Sequence, residues 1–169
     1  MFSLRDFKVK DIDEMLAIDR ECFPPGISYS RGELQSYVQR KGAFGIIAEP
    51  APASSSSVGD ATLAGPREPK QPAHRIAGFA VAEMHPKGYG HVITLDIRPA
   101  YRRQGLGTIL MAAAEKRVIK EGAFMMVLEA AVNNSSALAF YKQHKYNIVR
   151  TLPRYYNGEL DAFFMIKRL

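Results

Sequence analysis

The feature that most constrains this chain is a single change of hydrophobic period at a glycine turn. Upstream lies the apolar run "VITLDI", residues 92–97, whose β-branched content reads as a strand. Downstream, Leu106, Ile109, Leu110 and Ala113 recur at helical spacing until Gly122 offers a C-terminal stop. The switch falls on "RRQGLG", Arg102 to Gly107. A strand that turns on closely spaced glycines into a helix leaves several backbone N–H groups aimed at one place. The helix dipole adds partial positive charge there. Gly105 and Gly107 let the backbone approach an anion without a Cβ in the way, and Arg102 or Arg103 can add charge-assisted contacts. On physics alone the turn fits a pyrophosphate cradle or merely a tight turn. There is no G-x-x-x-x-G-K-[ST] and no G-x-G-x-x-G opening a βαβ unit, so neither a nucleoside-triphosphate loop nor a dinucleotide fold is supported.

The rest of the chain reads as an alternation of strands and helices around that turn. "SLRDFKV" is a first strand. "DIDEMLAIDRECF" is a helix with Asp11 as N-cap and Glu14 three residues on, stopped by "PPG" at 24–26. A short second helix starts near Ser30, with Glu33 completing a capping box and Leu34, Tyr37 and Val38 on one face. "AFGIIAE", "RIAGFAVAEM" and "GHVITLDI" are strands expected to form a meander. "AFMMVLEAAV" is apolar on both faces, which predicts a central strand covered by helices. "NNSSALAFYKQH" is a short helix with an Asn or Ser cap, and "YNIVRTL" and "LDAFFMIKRL" are closing strands. The order is β-α-α-β-β-β-α-β-α-β-β. One segment stands apart: Glu49 to His74 is rich in Pro, Ser, Ala and Gly, and predicts a disordered insertion at about 50–74 between two neighbouring strands.

Bulk properties exclude several classes. With 169 residues the chain fits one domain, 1–169, large enough for a core without staples. One cysteine allows no internal disulfide, and four scattered histidines give no recognisable metal-ligand spacing, so no metal is expected. No apolar run approaches the ~20 residues of a membrane span, and the N-terminal stretch lacks a secretory pattern, so a cytoplasmic location is expected. The net charge of +6 favours anionic partners, but the basic pairs are short and dispersed, which argues against nucleic acid as the main ligand.

Three ordered motifs carry a family resemblance. "IRPAYRRQGLGTILMAAAEKRV" resembles the acetyl-CoA signature of the GCN5-related N-acetyltransferases (GNAT), whose R/Q-x-x-G-x-G/A is met by Arg102, Gly105 and Gly107. "LEAAVNNSSALAFYKQHKY" is similar to the family's L-E followed by N-x-x-A-x-x-[F/L]-Y, and "RYYNGELDAFFM" is similar to the close of the N-terminal amino-acid acetyltransferases. The nearest resemblance is to ribosomal-protein-alanine N-acetyltransferases and their N-terminal acetyltransferase relatives. It covers nearly the whole chain apart from the insertion.

The resemblance implies an α/β (α+β) GNAT fold, a central, mixed, splayed sheet of about seven strands flanked by about four helices, with pantetheine in the splay. It matches the pantetheine strand to Leu95, Asp96 and Ile97, through backbone groups left unpaired by the splay. The pyrophosphate loop falls on Arg103, Gln104, Gly105, Leu106, Gly107 and Thr108 beside Arg102, and a polar contact falls on Asn134. Acetyl transfer to an amine needs a neutral amine, oxyanion stabilisation and a proton for the departing thiolate. Glu129 falls at the family's base position and Tyr141 at the acid position, where Tyr141 also meets acetyl-CoA. By its own surroundings Glu129 stands alone in an apolar strand, which pushes a carboxyl towards a useful base, unless the strand end solvates it or an arginine pairs with it. Asp96 is a rival base, and Tyr141 equally completes a packing stripe with Ala137, Leu138 and Phe140. The loops "FPPGISYS" and "RYYNGE" imply acceptor contacts from Phe23, Ile27, Tyr29, Tyr155 and Tyr156. The expected function is acetylation by acetyl-CoA of the α-amino group of a protein or peptide N-terminus, a ribosomal protein among the candidates. The alternatives are a small-molecule amine acetyltransferase and a non-catalytic acyl-CoA sensor. An α-amino group, with a reference pKa near 8 against about 10.4 for lysine, suits a modest base better.

Overall fold

The computed structural model describes residues 1–51 and 75–169. The predicted insertion at 50–74 lies almost wholly outside the described residues. Among the described residues seven strands and four α-helices follow the expected order: β1 (Phe2–Asp6), α1 (Ile12–Cys22), α2 (Arg31–Gln39), β2 (Ala43–Pro50), β3 (Gly78–His85), β4 (Tyr89–Ile97), α3 (Leu106–Lys120), β5 (Met125–Ala131), α4 (Ser135–Gln143), β6 (Asn147–Tyr156) and β7 (Leu160–Arg168). They form one sheet of order β1-β2-β3-β4-β5-β7-β6. Every neighbouring pair is antiparallel except β4 and β5, which are parallel.

Each side of the sheet carries its own core. On one, α3 buries Leu106, Leu110, Met111, Ala114 and Val118 against Ala80, Ala82, Val92 and Met126. This corrects the expected stripe, because Ile109 is exposed and Ala113 only half-buried. Leu106 and Leu110 belong to two adjacent helical rows, and the sheet took the row that adds Ala114 and Val118. On the other side, Ile12, Met15, Leu16 and Ile18 of α1 and Leu34 of α2 pack on Ile47, Phe79 and Val81.

Capping followed the sequence in α2 and not in α1. Ser30 Oγ accepts from the Glu33 N–H at 3.3 Å, and Glu33 Oε2 accepts from the Ser30 N–H at 2.8 Å, as the capping box requires. Asp11 makes no side-chain cap to α1. It is fully buried and accepts from Arg5 at 2.7 Å, Arg75 at 2.8 Å and the Lys8 N–H at 2.8 Å, and Glu14 accepts from the Ile76 N–H at 2.8 Å. Burial alone would raise the Asp11 carboxyl. The hydrogen bonds from Arg5, Lys8 and Arg75 outweigh it and hold the pKa at about 2. Donors from outside α1 have taken both acids away from the helix end.

Candidate active site

The site begins where the sheet comes apart. The parallel ladder between β4 and β5 runs only over Gly90↔Met126, His91↔Val127 and Val92↔Leu128. The register of β3 against β4 then slips between Val81↔Thr94 and Ala82↔Val92, which leaves Ile93 as an extra residue in β4. A bulge bends and twists its strand, so β4 turns away from β5 at the point where pairing stops. Residues 93–97 and 129–131 diverge, and their facing backbone groups have lost the partner strand. Ligands of parallel sheets bind beyond such carboxyl ends.

Two cavities, of about 780 and 720 Å³, open in the wedge and share Cys22, Phe23, Leu95, Asn134, Ala137 and Tyr141. The smaller is walled by the glycine turn. Gly105 has φ +79°, a left-handed conformation that glycine adopts without strain. The first helical bond is Ile109 N–H to Gly105 O at 3.2 Å, so the amides of Leu106, Gly107 and Thr108 precede the ladder and are free to meet an anion. At Gly107 a Cβ would come within 3.0 Å of the Phe140 ring, so its absence lets α4 close against the turn. Arg102 is pinned, with Nε donating to Ile97 O at 2.9 Å. Leu95, Ile97, Arg102, Arg103, Gly105, Leu106, Gly107, Thr108, Asn134 and Tyr141 all line this cavity. Asn134 caps α4 through its amide oxygen, 3.1 Å from the Ala137 N–H.

Two expected site residues turn their side chains away from the cavities. Gln104 points back along the turn, donating to Ala100 O at 3.0 Å, and lines neither cavity. Asp96 is fully buried with its side chain on the α1 face of β4. There its Oδ1 accepts from Thr94 Oγ1 at 2.6 Å and it neighbours Asp19. The alternation of side chains along β4 explains it, since Leu95 and Ile97 pack with the α3 core and Asp96 must face the other way. The Asp96 side chain is therefore out of reach of an acceptor amine, which removes it as a rival base.

The larger cavity holds Glu129 and Tyr141 together with Phe23, Ile27, Tyr29, Tyr155 and Tyr156, so every proposed acceptor contact converges there. Its two walls are tied. Tyr29 donates from Oη to Ile93 O of the bulge at 3.3 Å and from its N–H to Asp19 Oδ2 at 2.8 Å, and Asn157 Nδ2 of the β6–β7 turn donates to Gly26 O. Tyr141 is buried and packed edge-on against Phe140 and Tyr146. Burial raises its pKa, keeping the phenol protonated.

Glu129 is not isolated as expected from its apolar strand. Its Oε2 lies 2.8 Å from His91 Nε2, and His91 Nδ1 lies 3.5 Å from Glu83 Oε1. Burial pushes the His91 imidazole towards neutrality, but the hydrogen bonds and charges of Glu129 and Glu83 outweigh it and raise its pKa. His91 carried no sequence signal, because its partner stands 38 residues away on the parallel strand.

Charge divides cleanly between the cavities. Among the described residues the smaller is lined by Arg102 and Arg103 and no carboxylate, the larger by Glu33 and Glu129 and no cation. In a chain of net charge +6, one half of the wedge is prepared for a polyanion and the other for an ammonium.

Known proteins resemble this chain in sequence and in fold. The chain is 28% identical to the N-alpha-acetyltransferase of Saccharolobus solfataricus, over 99% of this chain and 93% of that protein. Its fold matches the ribosomal-protein-S18-alanine N-acetyltransferase from Escherichia coli with a TM-score of 0.77 at 19% identity, covering 99% of this chain and 94% of that one. It matches Arabidopsis thaliana NAA60, solved in complex with acetyl-CoA, with a TM-score of 0.77 at 17% identity, covering 100% and 99%. Residues 56–146, more than half of the sequence, match the acetyltransferase (GNAT) family, and with the splayed sheet and the glycine turn in place the chain belongs to that family.

Proposed function

We propose that this chain transfers the acetyl group of acetyl-CoA to the α-amino group of a protein or peptide N-terminus, with Glu129 and His91 taking the amine proton and Tyr141 supplying one to the leaving thiolate. The observation that carries the reading is the division of charge across one continuous wedge, with Tyr141 at its junction. Acetyl-CoA brings the activated thioester. The amides of residues 106–108 with Arg102 and Arg103 fit its pyrophosphate, and the edge of β4 at Leu95, which has no partner strand there, fits an amide-bearing arm.

The acceptor enters as an ammonium, drawn by Glu33 and Glu129. Glu129 receives its proton directly or through one water and shares it with His91, which leaves a neutral amine to attack the thioester carbonyl. Tyr141 then protonates the departing sulfur and is itself reprotonated from solvent. The relatives named N-alpha-acetyltransferase favour an N-terminal acceptor. So does the acceptor cavity, whose aromatic walls at Phe23, Tyr29, Tyr155 and Tyr156 offer contacts to side chains beyond the amine. The test is thiol release from acetyl-CoA with peptides varied at their first two residues, against free polyamines and amino acids. Faster turnover of the free amines overturns the N-terminal acceptor.

A further inference from the structure

His144 ends α4 and leans back over the start of α3. Its Nδ1 lies 2.8 Å from Phe140 O and its Nε2 3.0 Å from Thr108 Oγ1. The ring packs on Phe140 at a centroid distance of 4.2 Å. A carbonyl can only accept, so Nδ1 carries a proton. In the neutral ring Nε2 is then an acceptor, and Thr108 gives it the single proton of its hydroxyl. Thr108 is left facing the cradle with lone pairs only, which repel a phosphate oxygen. When the ring takes a second proton from solvent the bond reverses. Nε2–H donates to Thr108 Oγ1, and the hydroxyl proton is released to point at the anion.

We propose that His144 positions the Thr108 hydroxyl and takes up a proton when the pyrophosphate of acetyl-CoA binds, so that acidification tightens the cosubstrate through this one ring. The inference rests on reading residues 103–108 as the pyrophosphate loop. The charged groups of the elements that meet there are Lys142 and Lys145 near His144, Arg102 and Arg103 on the turn, and Glu115, Lys116, Arg117 and Lys120 on α3. Glu115 is engaged by Tyr146 Oη at 2.9 Å and by Lys167 Nζ at 2.6 Å. Among the described residues none of them makes a hydrogen bond or ion pair with the His144 ring, so Thr108 is its one route to the cradle. A bound pyrophosphate brings negative charge beside Thr108, which favours the doubly protonated ring.

Calorimetric titration of acetyl-CoA between pH 5.5 and 8, in two buffers of different ionisation enthalpy, tests this with the unaltered protein, His144→Phe, Thr108→Val and the double variant. His144→Phe keeps a ring on Phe140 and loses both hydrogen bonds. The phosphates of acetyl-CoA titrate alike in all four proteins and cancel in the affinity ratios. The expected result is extra proton uptake by the unaltered protein, and an affinity advantage over His144→Phe that grows about tenfold from pH 8 to pH 6. Thr108→Val should lose that same component, and the double variant no more than either. Parallel pH profiles for all four overturn the proposal. Should His144→Phe fail to fold, Thr108→Val alone carries the comparison. If the unaltered protein does not bind acetyl-CoA, the loop reading itself falls.

Discussion

Replacing Asp96 by Asn should make the protein more stable at pH 8 and leave it nearly unchanged at pH 6. Two buried carboxyls meet between α1 and β4. Asp96 Oδ1 accepts from Thr94 at 2.6 Å and Asp19 Oδ2 from the Tyr29 N–H at 2.8 Å, while Asp96 Oδ2 and Asp19 Oδ1 have no donor from the rest of the described residues. One proton held on Asp96 and shared with Asp19 satisfies both orphaned oxygens. Burial raises Asp96 to about 8, with the Thr94 hydrogen bond opposing and the Asp19 charge reinforcing, and burial raises Asp19 to about 6. Both folded pKa values exceed the unfolded one. The stabilisation from the bound protons is therefore complete below pH ~4 and is lost as pH rises through about 6 and then about 8. Each pH unit across which the folded state holds one extra proton costs about 1.4 kcal/mol, so from pH 6 to 8 Asp96 accounts for a loss of roughly 2–3 kcal/mol. The Asn amide imitates the protonated acid at every pH, accepting from Thr94 and donating to Asp19. Urea unfolding at both pH values measures the difference, and melting should show about 5–10 °C in favour of the variant at pH 8. A stability of the unaltered protein that stays flat from pH 6 to 8, or a variant equally destabilised at both, refutes the shared proton.

Tyr141→Phe should lower single-turnover thiol release by about 100-fold while acetyl-CoA affinity, read by calorimetry, stays within about twofold; an unchanged rate removes the acid role. His91→Gln should lower kcat by about tenfold or more. Activity in the unaltered enzyme should climb as pH rises through the raised pKa of His91, and in the variant the acid limb of kcat/KM should fall towards the carboxylate range. An acid limb that does not move separates His91 from the base. Gly105→Glu strains a residue at φ +79° and sets a carboxylate beside Arg102 and Arg103, so acetyl-CoA affinity should drop by about 100-fold. Intact affinity dissociates the turn from the cosubstrate.

The element order was legible because nearly every change of period is punctuated. "PPG" ends α1, Ser30 and Glu33 cap α2, Gly122 at φ +92° closes α3, and Asn134 opens α4. Sheet order was not, since local patterns do not say that β7 enters between β5 and β6. The glycine turn, Glu129, Tyr141 and the aromatic acceptor contacts came from motifs that survive in one dimension. His91, the tie from Asn157 to Gly26 and the pairing of Asp19 with Asp96 depend on partners tens of residues away. Asp11 and Glu14 show the same limit from the other side, because Arg5, Arg75 and the Ile76 N–H outcompeted the helix terminus for their oxygens. Asp96 offered itself as a rival base because the phase of a strand's side chains is settled only by packing. A strand motif names the backbone that lines the wedge and leaves open which face each side chain takes.

That phase is what joins the two halves of the site. Beyond the bulge, Leu95 and Ile97 pack with the α3 core, while Asp96 and Arg98 face α1, where Arg98 meets Glu21 and lies 3.7 Å from Glu14. Asp19 extends the seam to the acceptor loop through the Tyr29 N–H. Cys22 extends it to the glycine turn, with its thiol donating to Ile97 O at 3.3 Å and lying 3.3 Å from Arg102 Nη2. Burial raises the Cys22 thiol, so it serves as a neutral hydrogen-bonding link and not as a thiolate. One strand segment thus presents a core face to α3, a polar face to α1 and, at Leu95, a backbone edge without a partner strand to the wedge. Because the end of α1 touches the acceptor loop, β4 and the turn at once, loosening that seam must disturb amine and cosubstrate sites together. A substitution confined to either cavity wall need not.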